Sequence, residues 1–341
     1  MLYHVSISTA HSIAKDIFGS QNIVTKTFSM FFGASVSKLV LPAQNLTSDP
    51  DYVQYTKELE KLFQSKILKN SQLSFELHQI ESFDGALIET MELCHQEQLT
   101  KPKKEQRYVL YLCGNGMCMQ ELYNEIYMQC TQTKHNFVAF NYRNVIKSQG
   151  SINQELDLIN DVISQVERLR DEGVPLKNIC LVGHSLGAAF ATLTSYVYLK
   201  EGEPLKIFNG RSFSNFASMT FWQAKNNGAS NLEAMFKKML LSLSNFEIEV
   251  AQYYNLLPDE DKDYITVEQK DSGDGSTIGV PDGVIPPEAS LGNCVQDKSS
   301  RHKVISTNRL FGFGHNDPLS TLMSHDNNKT ADKLCREFIL K

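Results

Sequence analysis

Residues 178–191 read NICLVGHSLGAAFA, an apolar run that stops at Gly183-His184-Ser185-Leu186-Gly187. The first half has the unbroken apolar character of a strand buried on both faces. The continuation, AAFATLTSYVYLK, reads as a helix opened by small residues. Gly-x-Ser-x-Gly at such a strand-to-helix junction is the pattern of a tight turn that forces the serine into strained dihedrals and tolerates only glycine beside it. The serine hydroxyl would stand at a helix N-terminus, where the helix dipole favours developing negative charge. Ser185 is therefore the candidate nucleophile; a small-residue turn with no chemical role is the alternative reading of the bare pattern.

Strands and helices alternate outward from this point. YVLYLC, NFVAFNYR, PLKIFNG, YITVEQ and KVISTNRLF read as strands. ELDLINDVISQVERLRDEG is an amphipathic helix, apolar at Leu156, Ile159, Val162, Ile163, Val166 and Leu169, and TADKLCREFIL is a closing helix. This alternation predicts an α/β fold, a mostly parallel sheet with helices on both faces and functional groups at the carboxyl ends of the strands. Before it, SQLSFELHQIES and ALIETMELC predict a hairpin turning at Asp84-Gly85. Residues 1–70 read as a helical N-terminal extension, with a threonine cap signal in TAHSIAKDIFGS and an Asp-Pro start to DPDYVQYTKELEKLFQSKI. The expected organisation is this extension followed by a catalytic domain over 71–341, with a small helical cap inserted around 214–262. KDSGDGSTIGVPDG (270–283) reads as a loop.

Hydrophobic residues make up 41% and charged residues 21%, ordinary for a globular protein, and the net charge of −6 offers no basic field for a nucleic acid. Cys94, Cys113, Cys118, Cys130, Cys180, Cys294 and Cys335 are odd in number and scattered. That usage suggests thiols in a reducing, cytoplasmic-type compartment and gives no zinc spacing. DSGDG lacks the further ligands of a calcium loop, so neither metal nor cofactor is expected. The N-terminus lacks a basic segment followed by an apolar one, so it does not read as a secretory signal; export as an effector stays open. The most membrane-like stretch, FSMFFGASVSKLVL (28–41), carries Lys38 and is too short to span a bilayer. Packing on the core is expected for it, with peripheral membrane contact through this N-terminal region as the alternative.

A serine nucleophile needs a base, and the base needs a group to orient it. His302, His315 and His325 lie downstream; position favours His315, on a glycine-flanked loop in LFGFGHNDP. For the acid, Asp271, Asp274 and Asp282 all follow YITVEQ, and spacing does not choose among them. The oxyanion hole would use the N–H of Leu186 and one from the turn in YLCGNGM, where Asn115 presents the second.

At these residues the chain resembles the α/β-hydrolase superfamily, and within it the branch of serine hydrolases with a His-Gly-Asn oxyanion loop that includes palmitoyl-protein thioesterases. LYLCGNG resembles the oxyanion segment, NYRNVIKSQGS the Asp-Tyr-Arg-Gly-x-Gly-x-Ser-x-Gly stretch, LVGHSLGAA the elbow, KIFNGRSFSNF the segment after the sixth strand, DGVIPP the acid loop and GHND the histidine loop. The resemblance implies Asp282 as the acid, with KDSGDGSTIG inserted before it. Cys113 stands where that branch usually has histidine, and residues 1–70 match nothing in it. What it implies for function is cleavage of carboxylic esters or thioesters, with lipids or acylated proteins as substrates and peptides less favoured. The reading from another class is a binding protein of effector type that keeps the fold.

Overall fold

The computed structural model of the chain describes residues 2–19, 23–273, 276–295, 301–306, 314–325 and 328–341. Its strands are β1 (Leu2–His4), β2 (Leu73–Glu81), β3 (Leu87–His95), β4 (Tyr108–Leu112), β5 (Asn136–Phe140), β6 (Ile179–His184), β7 (Lys206–Gly210), β8 (Lys262–Val267), β9 (Lys270–Asp271), β10 (Thr277–Ile278), β11 (Arg301–Ser306) and β12 (Leu322–Ser324). The helices are α1 (Thr9–Phe18), α2 (Ile23–Val40), α3 (Ala43–Leu46), α4 (Pro50–Ile67), α5 (Gln96–Leu99), α6 (Tyr123–Thr133), α7 (Glu155–Asp171), α8 (Leu186–Glu201), α9 (Phe216–Asn226), α10 (Asn231–Leu243), α11 (Ala251–Tyr254), α12 (Leu291–Cys294) and α13 (Ala331–Leu340).

Ten strands form one sheet in the order β1-β2-β3-β5-β4-β6-β7-β8-β11-β12. The central run from β5 to β11 is parallel; β2, β3 and β12 supply the antiparallel pairings. One face carries α1, α2, α7 and α8, whose Ala10, Val40, Ile159 and Phe190 join a continuous core. The other carries α4, α6 and α13 through Phe63, Ile126 and Phe338. This is the α/β-hydrolase fold expected from the sequence. Pairing of Leu112 with Gly183, and of Gly183 with Asn209, sets three central strand ends level, so the loops that follow emerge together.

The N-terminal segment departs from a purely helical extension. β1 pairs in parallel with residues 79–81 of β2 and becomes the sheet margin. α1, capped by Ser8 in a box with His11, packs on α7 and α8. The Asp-Pro start of α4 is present: Asp49 accepts the N–H groups of Asp51 and Tyr52, with proline in the first turn. Val36, Val40 and Leu41 of the membrane-like stretch are buried, and among the described residues no helix is long and apolar enough to cross a membrane. The stretch read as a loop contains the short β9–β10 hairpin. The last central strand ends at Ser306; Asp274 and the remainder of the expected strand to Phe311 lie outside the described residues.

Residues 214–262 hold a helical hairpin, α9 and α10, followed by α11. Asn215 caps α9, and Ser230 with Glu233 forms a capping box on α10. The hairpin is tied to the domain at Glu155, the first residue of α7, whose Oε2 accepts the Ile248 N–H at 2.8 Å while its own N–H donates to Asn245 O. Burial, reinforced by Glu247 and Glu249, pushes the Glu155 carboxyl up to about 8. A raised value means the fold holds this proton more tightly than the unfolded chain does. Its stabilisation is complete below the ordinary value of 4.5 and is lost as pH rises through about 8. Glu155→Gln keeps the acceptor and removes the charge. Its melting temperature should match the wild type at pH 4 and exceed it at pH 9, by a stability difference of up to about 4 kcal/mol; melting followed by circular dichroism at both pH values checks this.

Candidate active site

Ser185 sits between β6 and α8 with φ 53° and ψ −114°, a backbone conformation that L residues rarely adopt. Its N–H donates to Gly210 O at 2.7 Å, tying the turn to the end of β7. Close approach of backbones explains the glycines on either side. A Cβ at Gly183 would lie 2.4 Å from the Ala188 backbone, and one at Gly187 would lie 2.4 Å from Leu112 O and 2.5 Å from Cys113 O. The first turn of α8 is thereby pressed against the exit of β4. Leu186 N–H, in that first turn, has no acceptor within the helix. Asn209 adds a side-chain clamp, donating to Ala188 O and Thr192 Oγ1, both at 3.1 Å.

The loops bearing Asp282 and His315 are joined along their backbones: Gly314 N–H donates to Pro281 O at 2.8 Å and His315 N–H to Asp282 O at 3.0 Å. The His315 ring then meets Asp282 through Nδ1, 2.9 Å from Oδ2. The same carboxylate accepts the N–H groups of Val284 and Ile285 on Oδ1. An imidazole held this way by Nδ1 leaves Nε2 for other chemistry. Among the described residues, Ser185 Oγ makes no hydrogen bond to that ring, so the serine and the His–Asp pair share one end of the sheet without being joined. Their link is His184, whose ring lies tilted at 44° against that of His315, 5.0 Å between centroids, and whose Nε2 lies 3.3 Å from Asn316 Oδ1. Burial, with Arg211 and His315 nearby, holds His184 well below the ordinary histidine range, so it packs as a neutral ring.

The other candidates lie elsewhere. Asp271 is exposed on β9, where it caps Gly273 N–H. His302, on β11, pairs with Asp263 at 3.1 Å, and His325 lies 3.1 Å from Glu268 O. Cys113 is buried, and burial raises its thiol well above the ordinary value, so it is an inert packing group. Asn115 is half-buried in the turn that Met117 N–H closes onto Gly114 O at 3.4 Å. Gly114 faces His184: a Cβ there would fall 2.9 Å from the ring.

Two supports were missed in the sequence. Arg211, buried with φ 60°, donates to Asp317 O at 2.7 Å and so fixes the loop that carries His315. It also lines two cavities, one of about 430 Å3 beside Asp282 and Ile285 and one of about 350 Å3 beside Tyr111, Glu125 and His184. Its place just after a strand end was the available signal. The second support is residues 43–47, within the segment that reads from sequence as a helical extension with no catalytic signature. Ala43 N–H donates to Asn115 O at 3.1 Å, Asn144 Nδ2 donates to Gln44 Oε1 at 2.9 Å, and Thr47 Oγ1 accepts Ile146 N–H at 2.9 Å. Asn144 and Ile146 both have positive φ, an uncommon conformation and a strained one for a β-branched residue, so the staple holds a loop that would not hold itself. Among the described residues no group of three or more His, Cys, Asp or Glu is placed to hold a metal ion.

Two variants test this architecture. Gly187→Ala should lower stability by about 3 kcal/mol, since neither Leu112 nor Cys113 can withdraw its carbonyl from the sheet exit; urea unfolding reads the loss. Thr47→Val removes the anchor of Ile146 N–H and should cost about 1–2 kcal/mol, with hydrogen exchange accelerated at 144–148 rather than across the sheet.

The family model described as Chlamydia CHLPS protein (DUF818) matches residues 23–196. No curated protein matches the sequence. Similar solved structures include an esterase from Pyrococcus furiosus, 17% identical with a TM-score of 0.44 over 65% of this chain and 75% of that one. Another is an alpha-beta hydrolase from Vibrio vulnificus, 15% identical with a TM-score of 0.47 over 78% and 79% of the two chains. A third is an acetyl xylan esterase from Paenibacillus sp. R4, 11% identical with a TM-score of 0.48 over 75% and 88%.

Proposed function

We propose that this chain, which belongs to the Chlamydia CHLPS protein (DUF818) family, is a serine hydrolase acting on carboxylic esters or thioesters. Ser185 Oγ attacks the acyl carbonyl, and His315 Nε2 takes the hydroxyl proton and returns it to the leaving group. Asp282 holds the His315 tautomer and stabilises its cationic form. The N–H groups of Leu186 and Asn115 receive the oxyanion. Water, deprotonated by His315 Nε2, then attacks the acyl carbon; the Ser185 Oγ–acyl bond breaks, Oγ takes the proton from His315, and the free acid leaves. The observation that carries the reading is the pairing of His315 Nδ1 with Asp282 on two loops joined by backbone hydrogen bonds, at the sheet end where Ser185 is held at φ 53°.

Lipid esters and acylated proteins are the substrate classes we favour, and the reading needs no cofactor. The wild type should label with a fluorophosphonate probe and turn over short p-nitrophenyl esters. Ser185→Ala and His315→Ala should each lower kcat/KM by about 10⁴-fold or more, and Asp282→Asn by a comparable factor, with folding intact by circular dichroism. Absence of labelling in the wild type, or equal labelling of Ser185→Ala, would sink the reading and leave a binding protein on a hydrolase fold. A chain-length series of ester and thioester substrates then sorts the acyl group.

A further inference from the structure

The cap hairpin carries a feature the reaction does not use. On α10, Leu232, Met235, Phe236 and Met239 fall at i, i+3, i+4 and i+7, a single helical stripe. That spacing ordinarily marks a buried face. Here the four are 79%, 61%, 55% and 47% exposed, while the opposite side of the helix, Ala234 and Leu241, is buried against the protein. The helix is thus apolar on both sides, and among the described residues nothing covers the outer stripe. α9, packed against α10, presents the half-exposed Trp222, and α2, also packed against α10, presents Leu39 at 64% exposure. A concentration of large exposed apolar side chains of this kind is uncommon on a monomeric surface and marks an interaction site.

Charge identifies the partner. α2 contributes Lys26 and Lys38 and no acid, and the α9–α10 hairpin contributes Lys225, Lys237 and Lys238 against Glu233 alone. Glu247 and Glu249 follow α10, Glu249 near Lys238, so five lysines face three glutamates, still a local reversal in a chain whose net charge is −6. Leucine, methionine and phenylalanine in one stripe, tryptophan beside them and lysines around them is the composition of a helix lying in a membrane interface, its apolar face among the acyl chains and its cations at the head groups. We propose that the surface made by α10, with α9 and α2 beside it, docks on an anionic lipid bilayer. The helix lies on the membrane and does not cross it. The surface is independent of Ser185 and stands or falls apart from the hydrolase reading.

Co-sedimentation of the full chain with vesicles tests it. The protein should bind phosphatidylcholine vesicles containing phosphatidylglycerol, bind pure phosphatidylcholine at least tenfold more weakly, and release as salt is raised. Met235→Ser with Phe236→Ser should weaken binding at least tenfold while leaving turnover of a soluble ester, or failing turnover the circular dichroism spectrum and melting temperature, unchanged. Ser185→Ala should bind as the wild type does. Trp222 is the chain's single tryptophan, so its emission should shift to the blue on binding. Failure of the wild type to sediment with anionic vesicles, undiminished binding by the double serine variant, or binding without a tryptophan shift would each overturn the proposal. So would a dimer in sedimentation velocity that the double variant dissolves, which would assign the stripe to a second copy of the chain.

Discussion

Everything at the candidate site depends on how near the first turn of α8 comes to the backbone of β4 and β6. Gly183 and Gly187 let helix and sheet touch without side chains between them. Ser185 takes its uncommon backbone conformation where this close packing turns the chain from β6 into α8 within one residue. The strained φ accompanies this packing density, and the buried α8 with its alanines supplies the packing.

Around that contact the site is assembled from loops that would be indefinite alone. Arg211 fixes the histidine loop by donating to its backbone carbonyls, the histidine loop donates two consecutive N–H groups to the acid loop, and the His184 ring lies against that of His315. Residues 43–47 pin two further loops at once, through Asn115 on one and Asn144 and Ile146 on the other. The N-terminal segment is consequently part of the site's scaffold, although it lends no group to the proposed chemistry.

The central sheet was legible because its strands are buried on both faces, and short apolar runs of five or six residues between turn signals, alternating with helical patterns, fit buried parallel strands. Ser185 was legible because its glycines are demanded by the backbone. Asp282 was not separable from Asp271 by spacing, since the choice rests on which loop turns back to meet residues 314–315, a long-range backbone pairing with no local mark. β1 and β12 are three residues each, too short for any period to register. Arg211 and Thr47 carry no local mark for a related reason: each acts through backbone carbonyls or amides of distant loops, and such partners carry no residue identity. The stripe on α10 reads from sequence as an ordinary core face, and only its exposure distinguishes it.

The pairing of Leu2 with Gln79 has a kinetic meaning. During synthesis β1 cannot find its strand partner until four helices and β2 have followed it. Closing a loop of that length for a strand of three residues gains few hydrogen bonds against a sizeable entropy. The margin is therefore held by the burial of Val5, Ala10 and Ala14 behind it more than by its own three-residue pairing.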